Sequence, residues 1–318
     1  MKNIRKILLY NPAISSLNMG DHIIAESIKN EMSWLIHDSF IVEVSTHLPV
    51  SRYIKYLKNF DYKFVCGSNL LRGKMNRLFR QWDINFLHSS FIGPSILVGA
   101  GWWQYGDDPN FYTKKLYKKV LSADYIHSVR DSFTEYQLAK IGITNVLNTG
   151  CPSMWTFTKE HCEKIPEKKA ENVVFTITDY NRDKPKDFDL IKILLNNYKQ
   201  VFFWMQGTND LDYLHDLSIN MNLLEIIPPS LSQFDKILEG DIDYVGTRLH
   251  AGIRALQKKK RSIIISIDNR ARELQIDYNI PCIERSNLQG LELLINNKLT
   301  TEIIIPIEKI NHWKAQFN

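Results

Sequence analysis

Short apolar runs of strand length alternate with longer segments whose apolar residues recur at helical spacing, the pattern of a mainly parallel sheet covered by helices. In the first half the runs are 6–10, 40–44, 64–66, 95–98, 125–129 and 145–147, and helices are expected over 21–32, 112–121 and 134–141. Residues 159–171 are charged, contain Pro166 and lack an apolar stripe, which reads as a linker. A second alternation follows, with runs at 172–177, 199–204, 224–227, 242–245 and 262–267. The expectation is an α/β protein of two doubly wound Rossmann-like lobes facing a central cleft: a lobe over 1–158, a linker over 159–171, and a lobe over 172–318 closed by a helix near 307–317.

Composition narrows the class. Hydrophobic residues make up 44% of the 318 and charged residues 24%, enough apolar material for a proper core, so a disordered chain is excluded. The net charge of +5 is mild, and the one basic run, Lys258–Arg261, reads as a solvated helix end, not a nucleic-acid surface. A weaker use of that run is attraction to an anionic membrane, so peripheral association with the inner face is kept as an expectation. No stretch reaches the ~20 apolar residues that a spanning helix needs. Lys2–Tyr10 is basic and then apolar, but its apolar part is too short for a secretory leader and reads as a first buried strand. Four cysteines without Cys-x-x-Cys spacing fit free thiols in a reducing cytoplasm.

Five segments carry candidate chemistry. Tyr244-Val-Gly-Thr-Arg-Leu-His-Ala-Gly252 leaves a strand and opens a helix: Thr247 offers a capping hydroxyl, Arg248 a fork of donors for phosphate or carboxylate, and His250 a proton that moves near neutral pH. The bland alternative is a buried structural His and an Arg in an ion pair. Asp268-Asn-Arg-Ala-Arg-Glu273 supplies Arg270 and Arg272, further anion ligands or plain surface residues. Ser128-Val-Arg-Asp131 supplies Arg130, which could bind an anion or pair with Asp131 or Glu135. In Gly99-Ala-Gly-Trp-Trp-Gln-Tyr-Gly106, Gly101 permits close backbone approach, while Trp102 and Trp103 either stack on a sugar or anchor the loop in the core. Met19-Gly-Asp-His-Ile-Ile24 follows the first strand, and Asp21 there either caps a helix or orients a sugar hydroxyl. No His, Cys, Asp and Glu spacing suggests a metal, and no cofactor is implied.

Asn18–Ile24, Val98–Trp102, Ser128–Asp131 continuing to Leu138, Gly142–Ile143 and Gly150, and Gly246–Leu256 with the strand 262–267 and Asp268 stand in the order seen in the polysaccharide pyruvyl transferase family, which the chain resembles over about residues 5 to 285. The resemblance implies two lobes in an arrangement like that of the glycosyltransferase-B enzymes. It also implies transfer of pyruvate from phosphoenolpyruvate to a sugar of a cell-surface polysaccharide or its precursor, forming a ketal. Phosphoenolpyruvate is then the donor substrate and a glycan or lipid-linked oligosaccharide the acceptor. His250 and Arg248 would be catalytic, Thr247, Arg130, Arg270 and Arg272 would hold the donor, and Asp21, Gly101, Trp102 and Trp103 the acceptor. Cys151-Pro152 departs from the family, which often has an acidic residue before that proline. A nucleotide-sugar-dependent glycosyltransferase and a non-catalytic glycan-binding protein are the alternatives.

Overall fold

Ile7 and Leu9 pack on one face of the first strand and Leu8 and Tyr10 on the other, and all four are buried, as in a strand covered on both sides. The computed structural model describes residues 4–49, 59–106 and 108–318, and these divide into two compact units: Met1–Ser16, Ile24–Trp155 and Ile305–Asn318 in one, Leu17–Ile23 and Thr156–Ile304 in the other.

In chain order the first part of the chain forms β1 (Arg5–Asn11), α1 (Met19–Glu31), α2 (Ser33–Ile36), β2 (Ser39–Ser45), β3 (Tyr62–Cys66), α3 (Ser89–Ile92), β4 (Ile96–Val98), α4 (Phe111–Val120), β5 (His127–Val129), α5 (Ser132–Lys140) and β6 (Val146–Asn148). The strands are parallel in the order β2-β1-β3-β4, and an Ala100–Val129 bridge continues them into β5-β6. Asn110 caps α4 and Asp131 caps α5, each accepting from the backbone N–H three residues on.

The remainder forms α6 (Lys159–Cys162), β7 (Asn172–Thr176), α7 (Lys184–Asn197), β8 (Gln200–Trp204), α8 (Asp210–His215), β9 (Glu225–Ile227), α9 (Leu231–Ile237), β10 (Ile242–Gly246), α10 (Leu249–Gln257), β11 (Ser262–Ser266), α11 (Asn269–Tyr278), β12 (Cys282–Glu284), α12 (Leu288–Asn296) and α13 (Ile307–Ala315). Its six strands are parallel in the order β12-β11-β10-β7-β8-β9. Numbered within the unit this is 3-2-1-4-5-6, the doubly wound order whose switch point lies between β7 and β10. The α/β class and the doubly wound lobes expected from the alternation are therefore present.

Three segments differ from the sequence reading, the first of them Leu17–Ile23, which was expected in the first lobe and clusters with the second unit. The closing helix, expected in the second lobe, belongs to the first unit, because Ile310, Trp313 and Phe317 are buried against Phe64, Trp155 and Ile96. Trp313 fixes the docking by donating its indole N–H to the Ile126 carbonyl at 2.9 Å. The 159–171 segment, expected as a linker, lies in the second unit: Thr158 caps α6, Cys162 and Ile165 are buried, and Leu299 N–H bonds the Glu167 carbonyl at 2.9 Å. Its apolar anchors are too few to register as a stripe.

Candidate functional site

β10 ends on a glycine because β7 runs too close for anything larger. A Cβ on Gly246 would stand 2.5 Å from Thr176 Oγ1 and 2.7 Å from Thr176 N. Thr247 then meets Thr178, oxygen to oxygen at 2.7 Å, which ties the ends of β10 and β7 together at the switch point. Arg248 is the N-cap residue of α10, and Tyr244 OH donates to its carbonyl at 2.8 Å. Gly252, one turn further, lets α10 lie on the sheet: a Cβ there would fall 2.5 Å from Ile264 Cγ1.

The Arg248 side chain, 4% exposed, is fixed from several sides. Nε donates to the Ile177 carbonyl at 3.3 Å, Nη2 donates to Asp179 Oδ1 at 2.9 Å, and Nη2 also bonds Asp210. None of these bonds uses Nη1. Asp210 is buried by the loop that carries it and accepts from the backbone N–H of Gly207 at 2.8 Å, Gln206 at 3.2 Å and Asp179 at 3.3 Å. Burial pushes its carboxyl above the ordinary range, and the Arg248 guanidinium opposes that shift. Gly207 makes room for the pair, since a Cβ there would stand 2.5 Å from Arg248 Nη2.

Tyr180, 56% exposed, covers this arginine, with the Arg248 guanidinium 5.1 Å from its ring centre and that of Arg270 at 5.7 Å. Arg270 also bonds the Tyr180 hydroxyl and clamps Asp268, the cap of α11, with Nη2 at 2.6 Å from Oδ2. Arg285 secures the loop after β7 by donating to the Asn181 carbonyl at 2.7 Å and side chain at 2.9 Å. His250 is the second residue of α10 and only 5% exposed.

The structure thus brings Thr247, Arg248, His250 and Arg270 to the strand ends of the second unit. Asp21 joins the same unit, because Met19 N–H donates to the Gln206 carbonyl at 2.9 Å and Gln206 Nε2 to Asn18 Oδ1 at 2.9 Å. Arg272 does not join them: it makes a half-exposed bidentate pair with Glu284 at 3.0 and 2.9 Å. Asp179, Tyr180, Asp210 and Arg285 were not expected from sequence. An aspartate two residues after the strand 172–177 was the one available signal.

The other candidates lie in the first unit. Arg130, 1% exposed, bonds Asp131 through Nε at 3.0 Å and Asn69 through Nη1 at 2.5 Å, and it lies flat on Gly101, where a Cβ would be 2.3 Å from Cζ. Trp102 is a core residue at 1% exposure, edge-on to Tyr117, so its ring face is not offered to a sugar. Trp103 is half-buried, with the Arg72 guanidinium 4.6 Å from its ring centre and Phe79 at 6.2 Å. Cys151 is buried with Sγ 3.0 Å from Ser153 Oγ, and burial pushes its thiol up, away from the thiolate form. Among the described residues no three His, Cys, Asp or Glu side chains stand together as metal ligands would.

Two parallel doubly wound lobes define a protein of the paired Rossmann-like class. Two solved structures share the fold at low identity: a lipopolysaccharide outer core galactosyltransferase WaaB in its apo form (TM-score 0.50, 12% identity, 98% of this chain and 95% of that one) and a UDP-N-acetylglucosamine 2-epimerase (TM-score 0.54, 10% identity, 99% and 95%). No curated protein sequence matches the chain. The family is nonetheless settled: residues 18–269 match the polysaccharide pyruvyl transferases, and the chain belongs to that family. It is a transferase, with a pyruvyl transfer role on polysaccharide.

Proposed function

We propose that the chain transfers the pyruvyl group of phosphoenolpyruvate to two hydroxyls of a glycan, forming a ketal and releasing phosphate, with the donor held at the β10–α10 turn. The observation that carries this reading is Arg248, fixed by two carboxylates at the switch point through bonds that leave Nη1 unused, beside the N-terminal turn of a nine-residue helix. Arg248 binds the donor's phosphate or carboxylate. His250 delivers a proton to the methylene carbon while positive charge grows on C2, a glycan hydroxyl attacks C2, and the phosphate leaves as a second hydroxyl closes the ring. Arg270 and Tyr180 complete the donor side. Trp103 is the acceptor contact retained in the first unit, and Asp21 the one in the second.

A nucleotide-sugar donor suits the 3-2-1-4-5-6 strand order, but residues 177–182, Ile-Thr-Asp-Tyr-Asn-Arg, contain no glycine where a diphosphate-cradling turn would need one. The test is phosphate release from phosphoenolpyruvate across a panel of glycan acceptors, with sugar nucleotides in parallel. His250→Ala is expected to fold and lose about 10²-fold or more in turnover. Arg248→Lys is expected to raise the donor KM, because a point charge cannot replace the fork. Near-native turnover in His250→Ala removes the proton role, and consumption of a sugar nucleotide alone overturns the reading.

A further inference from the structure

Residues 67–88 connect β3 to α3 without helix or strand, a length that in a compact domain usually has a use. The loop is pinned. Arg72 N–H donates to Tyr117 OH and Met75 N–H to Thr113 Oγ1, both at 2.9 Å, Asn110 N–H donates to the Gly73 carbonyl at 3.0 Å, and Trp82 is buried in the core. On this anchored frame Leu78 is 100% exposed and Phe79 62%. Phe111, 72% exposed, opens α4 beside them, joined through the Asn76–Asn110 side-chain bond at 2.8 Å. Leu87, 83% exposed, follows Phe86, whose ring packs edge-on against Tyr112 at 4.9 Å. Four large apolar side chains therefore stand uncovered around the first turn of α4, where a fixed backbone gives them no route inward.

The charge around them is mainly basic. Residues 62–82 contain five Lys and Arg and no Asp or Glu, and residues 109–123 contain four Lys and no Asp or Glu. Arg77, Lys114 and Lys115 are exposed, and the Lys115 ammonium lies 4.3 Å from the Phe111 ring centre. Of the acidic residues that flank these stretches in sequence, Asp83 is engaged by Arg80 and Asp108 by Lys140. Apolar tips among basic residues match the two halves of an anionic bilayer surface: the tips enter the acyl boundary while the cations meet the headgroups. An acidic protein groove would satisfy the cations but leave a fully extended leucine tip without a reason to protrude. We infer that this face of the first unit docks on anionic lipid. The Trp103 ring touches Phe79, so docking would hold the acceptor contact at the lipid surface, a consequence that rests on the proposed function while the docking itself does not.

The test is co-sedimentation of the full chain with vesicles of mixed phosphatidylglycerol and phosphatidylcholine, against phosphatidylcholine alone. Binding is expected to the mixed vesicles, about tenfold weaker to the neutral ones, and weakened by high salt. Leu78→Asp with Phe79→Asp is expected to cost about a hundredfold, and Lys114→Glu with Lys115→Glu about tenfold. Phe40→Asp, at an exposed position of β2, is the control and should change nothing. All of these sites are exposed, and circular dichroism checks folding. Wild-type binding by the Leu78/Phe79 variant, equal binding to both vesicle types, or no vesicle binding at all overturns the proposal. Self-association lost in that variant without vesicle binding would give the face to a second copy of the chain and overturn it equally.

Discussion

At both β5 and β10 an arginine and a histidine stand within three residues of each other. In the first unit His127 is followed three residues later by Arg130, which lies on Gly101 and pairs with Asp131. In the second, Arg248 is followed two residues later by His250, and the arginine lies against Gly207 and pairs with Asp179 and Asp210. Both arginines are buried, at 1% and 4% exposure. The difference is in where the strand stands and what covers the arginine. Arg130 bonds Asp131 and Asn69 through Nε and Nη1, leaves Nη2 buried without a hydrogen bond, and stands on a strand away from a switch point, where the arrangement supports a pin for the 99–103 loop. Arg248 stands at a switch point, beneath an exposed tyrosine. An arginine after a strand is a local signal; whether it is a pin or a ligand is decided by strand order and by the neighbours that order supplies.

The largest expected effect tests the pairs themselves. Asp131→Ala and Asp210→Ala each leave a buried guanidinium short of its closest carboxylate, and each is expected to cost about 3–5 kcal/mol in urea unfolding. The comparison divides on kinetics below the melting temperature: Asp210→Ala should raise the donor KM and Asp131→Ala should not. The reverse result would make Arg130 the donor ligand.

The histidines give the next effect. His127 Nε2 is 3.0 Å from the Ser122 carbonyl, and its Nδ1 accepts from Leu97 N–H at 3.2 Å, so the ring is held neutral with both nitrogens satisfied. Burial lowers it from an ordinary value of 6.5 to about 4. Between those values the unfolded chain binds the proton and the folded chain does not, so stability is full above pH 6.5 and falls as the pH drops toward 4, by about 3 kcal/mol. Unfolding at pH 7 and at pH 4.5 should show that loss in the wild type and a smaller one in His127→Gln. His127→Gln should leave turnover intact, whereas His250→Ala should not; equal turnover losses would dissolve the distinction between a structural and a working histidine.

A smaller effect probes the glycines. Gly101→Ala drives a methyl into the middle of the Arg130 guanidinium, and Gly207→Ala drives one toward Arg248 Nη2. Each is expected to cost about 1–3 kcal/mol. Only Gly207→Ala is expected to weaken donor binding as well, measured by protection from thermal unfolding with phosphoenolpyruvate.

The sheets were legible because buried parallel strands are continuous apolar runs, as at 263–265 and 7–10. β12 was not: it has three residues, only Ile283 of them buried. Trp102 and Trp103 announced an aromatic loop, but the Leu71–Trp102 bridge decides which ring turns inward, and that pairing joins residues 31 apart. The docking of α13 on the first unit depends likewise on contacts that no local pattern encodes. Arg248 and His250 could be named because they lie together in the chain. Asp179, Tyr180 and Asp210 lie on other loops and reach Arg248 only through the strand order.

The smallest expected effect marks where the second region ends. Arg270 and Arg272 are two residues apart on α11 and look alike in sequence, yet one faces Tyr180 and Asp268 while the other grips Glu284 at 42% exposure. The Arg272–Glu284 pair is wet, and its bidentate geometry is offset by screening and side-chain ordering, so Arg272→Ala should cost less than about 1 kcal/mol and leave the donor KM unchanged. Arg270→Ala removes the guanidinium beside Tyr180 and frees Asp268, so the donor KM should rise several-fold while the unfolding midpoint moves little. Steady-state kinetics on the two variants side by side decide the boundary. If Arg272→Ala raises the donor KM as much as Arg270→Ala, the site extends to the β12 edge, and adjacency to the switch point is not what separates a ligand from a surface pair in this lobe.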